Sequence, residues 1–143
     1  MIRIAIAGRA TQSVITQYNA VNAPLWRSLS DLSNHAVLFD QSGGRGQTPA
    51  EWPEPLDITC ERLPFGASNP MCGYAGGLGP DNLTEMLPRI HAAAGNKPYW
   101  IDMESKLRDH ADRFDLSRAR RCLEIANAFR VQIDQHRQAT DVA

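Results

Sequence analysis

Asp40 is the residue with the clearest capacity for chemistry. It closes the apolar run Ala36-Val37-Leu38-Phe39. A carboxyl group at the end of such a strand is partly desolvated, which raises its pKa and suits it to donate a proton. The same Asp could instead serve structure, accepting backbone N–H bonds from the glycine-rich loop that follows. That loop, Gln41-Ser42-Gly43-Gly44-Arg45-Gly46-Gln47-Thr48, lacks the G-K-[ST] ending of a Walker motif, because Gln47 follows Gly46. It could wrap a ligand and close over it, or be an exposed connection. Arg45 within it could meet a phosphate or a carboxylate, or be solvated.

A second glycine loop, Gly76-Gly77-Leu78-Gly79-Pro80-Asp81-Asn82, follows another short apolar run. Glycines after a strand let backbone amides approach an anion, and a helix N-terminus behind them adds its dipole and N–H groups. Phosphate binding is one reading; a tight turn needing positive φ is the other. The order G-G-x-G differs from the G-x-G-x-x-G of a dinucleotide site. Asp102 ends a third apolar run and precedes Glu104, Lys106, Arg108 and Asp109. It could take part in catalysis or belong to a local salt-bridge network.

These groups need elements to position them. Ile2 to Ala7 reads as a strand ended by Gly8. Thr11 to Leu32 carries Val14, Ile15, Tyr18, Val21, Leu25, Trp26 and Leu29 at helical spacing. Ala36–Asp40 is a doubly buried strand of the parallel kind. Gln41–Pro55 is loop, and Leu56–Leu63 a short, poor helix. Met71–Ala75 is a strand, followed by a helix capped by Asp81 and ended by Gly95. Tyr99–Met103 is the last strand. A helix from about Leu116 to His136, capped by Asp115, closes the chain; the tail from Gln138 frays.

The alternation predicts an α/β fold of parallel strands joined by right-handed crossovers. In such sheets ligand groups sit at the carboxyl ends of strands, where Asp40, Gly76-Gly77 and Asp102 all fall. The 143 residues allow one domain with its own core. Apolar residues at 43% and charged residues at 22% are ordinary for a globular chain, and exclude a disordered or collagenous one. A net charge of −1 carries no broad basic field, so nucleic acid is not an expected partner. No apolar run approaches the ~20 residues of a membrane span. The three cysteines, Cys60, Cys72 and Cys122, form no C-x-x-C pair, as expected of buried, reduced thiols in a cytoplasm. The four histidines are scattered away from them, so no zinc site is expected.

The motifs together resemble a known family. Val37-Leu38-Phe39-Asp40-Gln41-Ser42-Gly43-Gly44-Arg45-Gly46-Gln47-Thr48, with Trp52 beyond, is similar to a segment of phosphoribosylanthranilate isomerase. That family has a strand ending in Asp, a G-G-x-G-[KQ]-T loop and a Trp. Tyr74-Ala75-Gly76-Gly77-Leu78-Gly79-Pro80-Asp81-Asn82-Leu83 resembles its A-G-G-L-x-P-x-N-[VL] loop. Ile101-Asp102-Met103-Glu104-Ser105 stands where it has D-V-S-S-G. The set covers most of Val37 to Ala128.

The resemblance implies half of a TIM (β/α)8 barrel, about four β-α units corresponding to units five to eight, since a whole barrel takes about 250 residues. It implies an Amadori-type rearrangement of a phosphoribosyl amine, as in tryptophan biosynthesis, without a cofactor. Asp40 then protonates the sugar ring oxygen. Gly43, Gly44, Arg45, Gly46, Gly76, Gly77, Asp102 and Ser105 line the seat of a small phosphorylated sugar. The family's base, a Cys at the end of the first strand, has no counterpart here, and Glu104 brings negative charge to the last loop. These departures motivate an alternative, a non-catalytic phosphosugar-binding half-barrel. A third reading, a regulatory subunit resting on the charged stretch from Glu104 to Arg113, leaves the glycine loops unexplained. Open sheet edges predict a homo-oligomer or a partner supplying an N-terminal half-barrel.

Overall fold

The computed structural model describes residues 2–7, 14–18, 35–40, 42, 45–55, 72–95 and 97–140. Its elements in chain order are β1 (Ile2–Ala7), β2 (Val14–Tyr18), β3 (His35–Phe39), β4 (Cys72–Ala75), α1 (Leu83–Ala94), β5 (Tyr99–Met103), a 3-10 turn (Ser105–Leu107) and α2 (Leu116–Thr140). The described strands form one sheet in the order β1-β5-β4-β3-β2. β2, β3, β4 and β5 are mutually parallel neighbours. The fold is of the α/β kind.

Two expectations fail at the start of the chain. β1 is a strand, but it pairs antiparallel with the outer edge of β5, Ile2 opposite Met103 and Ile4 opposite Ile101. Val14–Tyr18, expected to be helical, is strand β2. Val14, Ile15, Thr16 and Tyr18 are β-branched or aromatic, residue types that fit a pleated surface and lose rotamer freedom in a helix. The apolar positions 14, 15 and 18 carry a helical spacing by coincidence. The expected helix at Leu56–Leu63 lies outside the described residues.

The core forms where the strands turn one face to the two described helices. Val37, Phe39, Cys72, Tyr74, Tyr99, Ile101 and Met103 pack with Leu83, Met86, Leu87, Ile90 and Ala94 of α1 and Cys122 and Ala126 of α2. Side chains alternate across a strand, so the odd-numbered residues of β3 and β5 and the even-numbered ones of β4 share that face. In α1 the buried positions recur every three or four residues, as one stripe of a helix requires. Leu87 and Ile90 are fully buried, each contributing about 1.5–3 kcal/mol relative to an exposed position. The opposite face holds a smaller cluster, Ala36, Leu38, Ala75 and Trp100.

The helix boundaries have local causes. Asp115 Oδ1 accepts the N–H groups of Ser117 (2.8 Å) and Arg118 (3.1 Å), capping α2 as its sequence position predicts. α2 runs from Leu116 to Thr140. Leu116 and Leu123, counted in its apolar stripe, are 76% and 50% exposed. α1 begins one residue later than expected. Asn82 occupies its N-cap position, while Asp81 reaches Arg118 of α2 at 2.8 Å. Gly95 ends α1 at φ 59°, a left-hand conformation open to glycine. Among the described residues no helix is long and apolar enough to cross a membrane.

Candidate functional site

The carboxyl ends of β3, β4 and β5 open into one cavity of about 430 Å³. Asp40, Ala75 and Asp102 contribute to its wall from the three strands, with Gly76, Gly77 and Ser105 from the loops that follow. Gly46 of the loop after β3 reaches the same cavity. Six of the residues singled out in the sequence therefore converge. Arg45 does not join them: it is exposed and its Nε donates to the Ser42 carbonyl at 2.9 Å. Gly43 and Gly44 lie outside the described residues.

Asp40 is 6% exposed, and its Oδ1 accepts both the Ser42 N–H (3.1 Å) and the Ser42 hydroxyl (2.7 Å). This is an Asx-turn, in which a side chain satisfies the backbone as the chain leaves the strand. The structural role foreseen for Asp40 is thus real, and it coexists with access to the cavity. Ser42 is 6% exposed and also lines that space. Asp102, equally buried at 6%, stands across the cavity on β5.

The rim carries a different electrostatic arrangement. Arg108 Nη2 donates to Glu104 at 3.3 Å, and its Nη1 donates to the Asp112 carbonyl at 3.0 Å. Its Nε is also 3.6 Å from the Asp112 carboxylate. These rim groups are partly exposed and their pairing is worth about 1 kcal/mol or less. Glu104 is therefore answered by Arg108, whereas Lys106 instead packs its stem over Gly79, where an added Cβ would come within 2.5 Å of it. Among the lining residues Asp40, Asp102, Glu104 and Asp112 face one cation, Arg108. Two unit charges 4 Å apart interact by about 4 kcal/mol at an effective dielectric near 20. A phosphate dianion carries two charges, so an ionised carboxylate at that distance repels it by about twice that figure.

The glycines have a packing reason as well. Gly76 and Gly77 adopt φ 128° and 59°. A Cβ on Gly76 would lie 2.8 Å from the Gln47 carbonyl oxygen, and one on Gly77 would strike the Gly46 carbonyl. The loops after β3 and β4 are in backbone contact, and only a residue without a side chain permits that.

Several residues that hold this arrangement are not evident in the sequence. Asn82 Nδ2 donates to the Gly77 carbonyl at 3.0 Å and to Thr48 Oγ1 at 3.3 Å, while its Oδ1 accepts the Gly79 N–H at 3.0 Å. Arg89 of α1 donates to the Ala50 carbonyl at 2.7 Å. Trp52 is buried edge-on against Tyr74, whose hydroxyl donates to the Pro53 carbonyl at 3.0 Å. The stretch 45–55 is thus pinned over the carboxyl edge of the sheet rather than forming an unattached flap. The Asn and Trp signals were present as motif positions; the distant partners, Thr48 for Asn82 and Tyr74 for Trp52, were not.

The described thiols take no part in the cavity. Cys72 and Cys122 are reduced thiols buried in the helix-side core, and burial pushes the Cys122 thiol up. Cys60 lies outside the described residues. Among the described residues no group of three or more His, Cys, Asp or Glu side chains is placed to hold a metal ion.

No family model, curated protein or solved structure matches the chain.

Proposed function

We propose that this protein is an aldose–ketose isomerase of the phosphoribosylanthranilate isomerase type, carrying out an Amadori rearrangement on an N-substituted ribosylamine. The observation that carries the reading is the meeting of Asp40 with Gly76-Gly77 and Asp102 at one cavity on the carboxyl edge of a parallel sheet. A buried carboxyl group fixed at a strand end can deliver a proton to the ring oxygen, the step that opens the sugar. Ser105 and the Gly76-Gly77 backbone are the groups on hand to seat a 5-phosphate, with Arg108 shared with Glu104 and Asp112. The surrounding carboxylates make that seat a weak one, and the sugar hydroxyls carry more of the affinity.

The strand order supports a half-barrel as the finer architecture. Parallel neighbours β2, β3, β4 and β5 follow one another in chain order, with α1 and α2 on one face, as in a singly wound (β/α) layer. β1 covers the β5 edge in antiparallel sense. The β2 edge is the natural place for pairing with a second copy or with a separate half-barrel. Sedimentation at the mass of one chain across the micromolar range would remove that part of the proposal.

The test is direct. The protein is incubated with N-(5-phosphoribosyl)anthranilate and with the unphosphorylated N-ribosylanthranilate, and ketose product is followed by NMR. Asp40→Asn keeps an oxygen for Ser42 and should slow turnover by about 100-fold or more. Equal rates in wild type and variant would take Asp40 out of the mechanism.

A second reading is a binding module that retains the pocket without chemistry. The two Ser42 hydrogen bonds on Asp40 Oδ1 favour it, since they hold that carboxylate in a structural role. Ligand-induced thermal stabilisation without product would decide for the module.

A further inference from the structure

Asp40 and Asp102 stand in one row across the sheet. Phe39 of β3 pairs with Tyr74 of β4, so the next position brings Asp40 beside Ala75. Ala75 in turn pairs with Asp102 of β5. The three residues line the same cavity, and both carboxylates are 6% exposed. Two interstrand spacings separate the two acidic strands, about 10 Å between backbones. The residue between them is the smallest that still carries a Cβ, which leaves the gap open. Two carboxyl groups that line one cavity from strands two spacings apart can transfer protons at two positions of one substrate.

The reaction needs two such groups, and the described thiols do not supply the second. Cys72 and Cys122 belong to the cluster facing the helices, on the other side of the sheet from Asp40, Ala75 and Asp102.

We infer that Asp102 is the general base of this site, removing the C2 proton of an N-substituted aldosylamine while Asp40 acts as the acid. The inference rests on the isomerase reading above. Asp40 gives its proton to the ring oxygen as the C1–O bond breaks, and the nitrogen lone pair forms C1=N⁺. The Asp102 carboxylate then takes the proton from C2. The C2–H electrons become the C1=C2 bond, and the C=N π pair returns to nitrogen. The resulting enol loses its O–H proton as C1 gains one, giving the aminoketose. No electron leaves or enters the substrate, so no external oxidant or reductant is required.

The experiment follows N-(5-phosphoribosyl)anthranilate and N-ribosylanthranilate in D2O by NMR. Three signals are read: ketose formation, loss of the C2 proton, and exchange between substrate anomers, which reports ring opening alone. Asp102→Asn should lower ketose formation and C2–H loss together by about 100-fold or more, while anomer exchange stays near the wild-type rate. Asp40→Asn should slow all three. Asp102→Glu keeps a carboxylate and should recover part of the C2–H cleavage, which separates a lost base from a damaged fold. The kcat/KM profile should lose its acidic limb in Asp102→Asn. Wild-type turnover with Asp102→Asn within about threefold of it overturns the inference and leaves the isomerase reading standing. Wild type that forms no ketose and exchanges no C2 proton overturns both.

Discussion

The Asn82 side chain donates to the Gly77 carbonyl at 3.0 Å and accepts the Gly79 N–H at the same length. One amide thereby closes the turn that shapes one wall of the cavity, and its third contact at Thr48 ties in the neighbouring loop. A part-buried hydrogen bond contributes about 0.5–1.5 kcal/mol net, and leaving its partner unsatisfied costs more. Asn82→Ala should therefore lower stability by about 2 kcal/mol. Urea unfolding is the measurement, with a shifted midpoint and an unchanged slope as the expected result. Ligand affinity should fall as well, because the turn from Gly77 to Gly79 loses its anchor.

Gly77 and Gly95 offer a matched pair. Both have φ 59°, where a side chain is strained, at a cost of about 1–3 kcal/mol. A Cβ on Gly95 meets nothing within 4 Å, whereas one on Gly77 runs into the Gly46 carbonyl and comes within 2.9 Å of the Thr48 nitrogen. Gly95→Ala should show the backbone cost alone. Gly77→Ala should show that cost plus a forced shift of the loop after β3. Thermal melts of both variants check the order, and ligand binding should fail only in Gly77→Ala.

The parts of the fold written in short-range pattern were readable from the chain. The stripe Leu83, Met86, Leu87 and Ile90 announces α1, and Tyr99–Met103 is a strand with the predicted bounds. The strand-end rule brought Asp40, Gly76, Gly77 and Asp102 to one edge, where they line one cavity. What failed depended on competition or distance. Val14–Tyr18 satisfied both a helical spacing and strand propensity, and tertiary pairing with β3 chose the strand. The antiparallel docking of β1 on β5 joins segments about 100 residues apart, and nothing local encodes it. The same holds for Asn82 on Thr48 and Arg89 on Ala50, which are 34 and 39 residues apart. The count of acids around the cavity also emerges only after Asp112 folds back onto Arg108.

Gly73 and Trp100 are paired across β4 and β5, and the indole ring lies where a Gly73 side chain would point. The Trp100 Nε1 is buried with no hydrogen-bond partner among the described residues, so packing positions this indole. Gly73→Ala overpacks the site, and overpacking of this kind costs about 1–3 kcal/mol. Trp100→Leu leaves a cavity and costs about 3 kcal/mol, judged from large-to-small core replacements. The double variant should be more stable than the sum of the two losses implies, by about 1 kcal/mol, since the smaller side chain makes room for the methyl group. Denaturant unfolding of the four proteins measures the coupling; strict additivity would mean that the ring moves aside freely.

His91 gives the fold a pH dependence whose sign is fixed by its surroundings. Its Nδ1 lies 3.2 Å from the Tyr99 hydroxyl, and its ring meets Phe129 edge-on at 5.7 Å. Burial, and secondarily the Arg137 charge, holds its pKa below the ordinary value near 6.5. The folded chain therefore binds a proton at this site less readily than the unfolded chain does. Stability from His91 is fully present above pH 6.5 and declines as pH falls through 6.5, because the unfolded state is protonated first. The decline ends once the folded-state pKa is passed. His91→Gln removes the titration. The stability difference between wild type and His91→Gln should shift in the variant's favour between pH 7.5 and pH 5. Urea midpoints across that range test it, and a constant difference between the two proteins would show that His91 is solvated equally in both states.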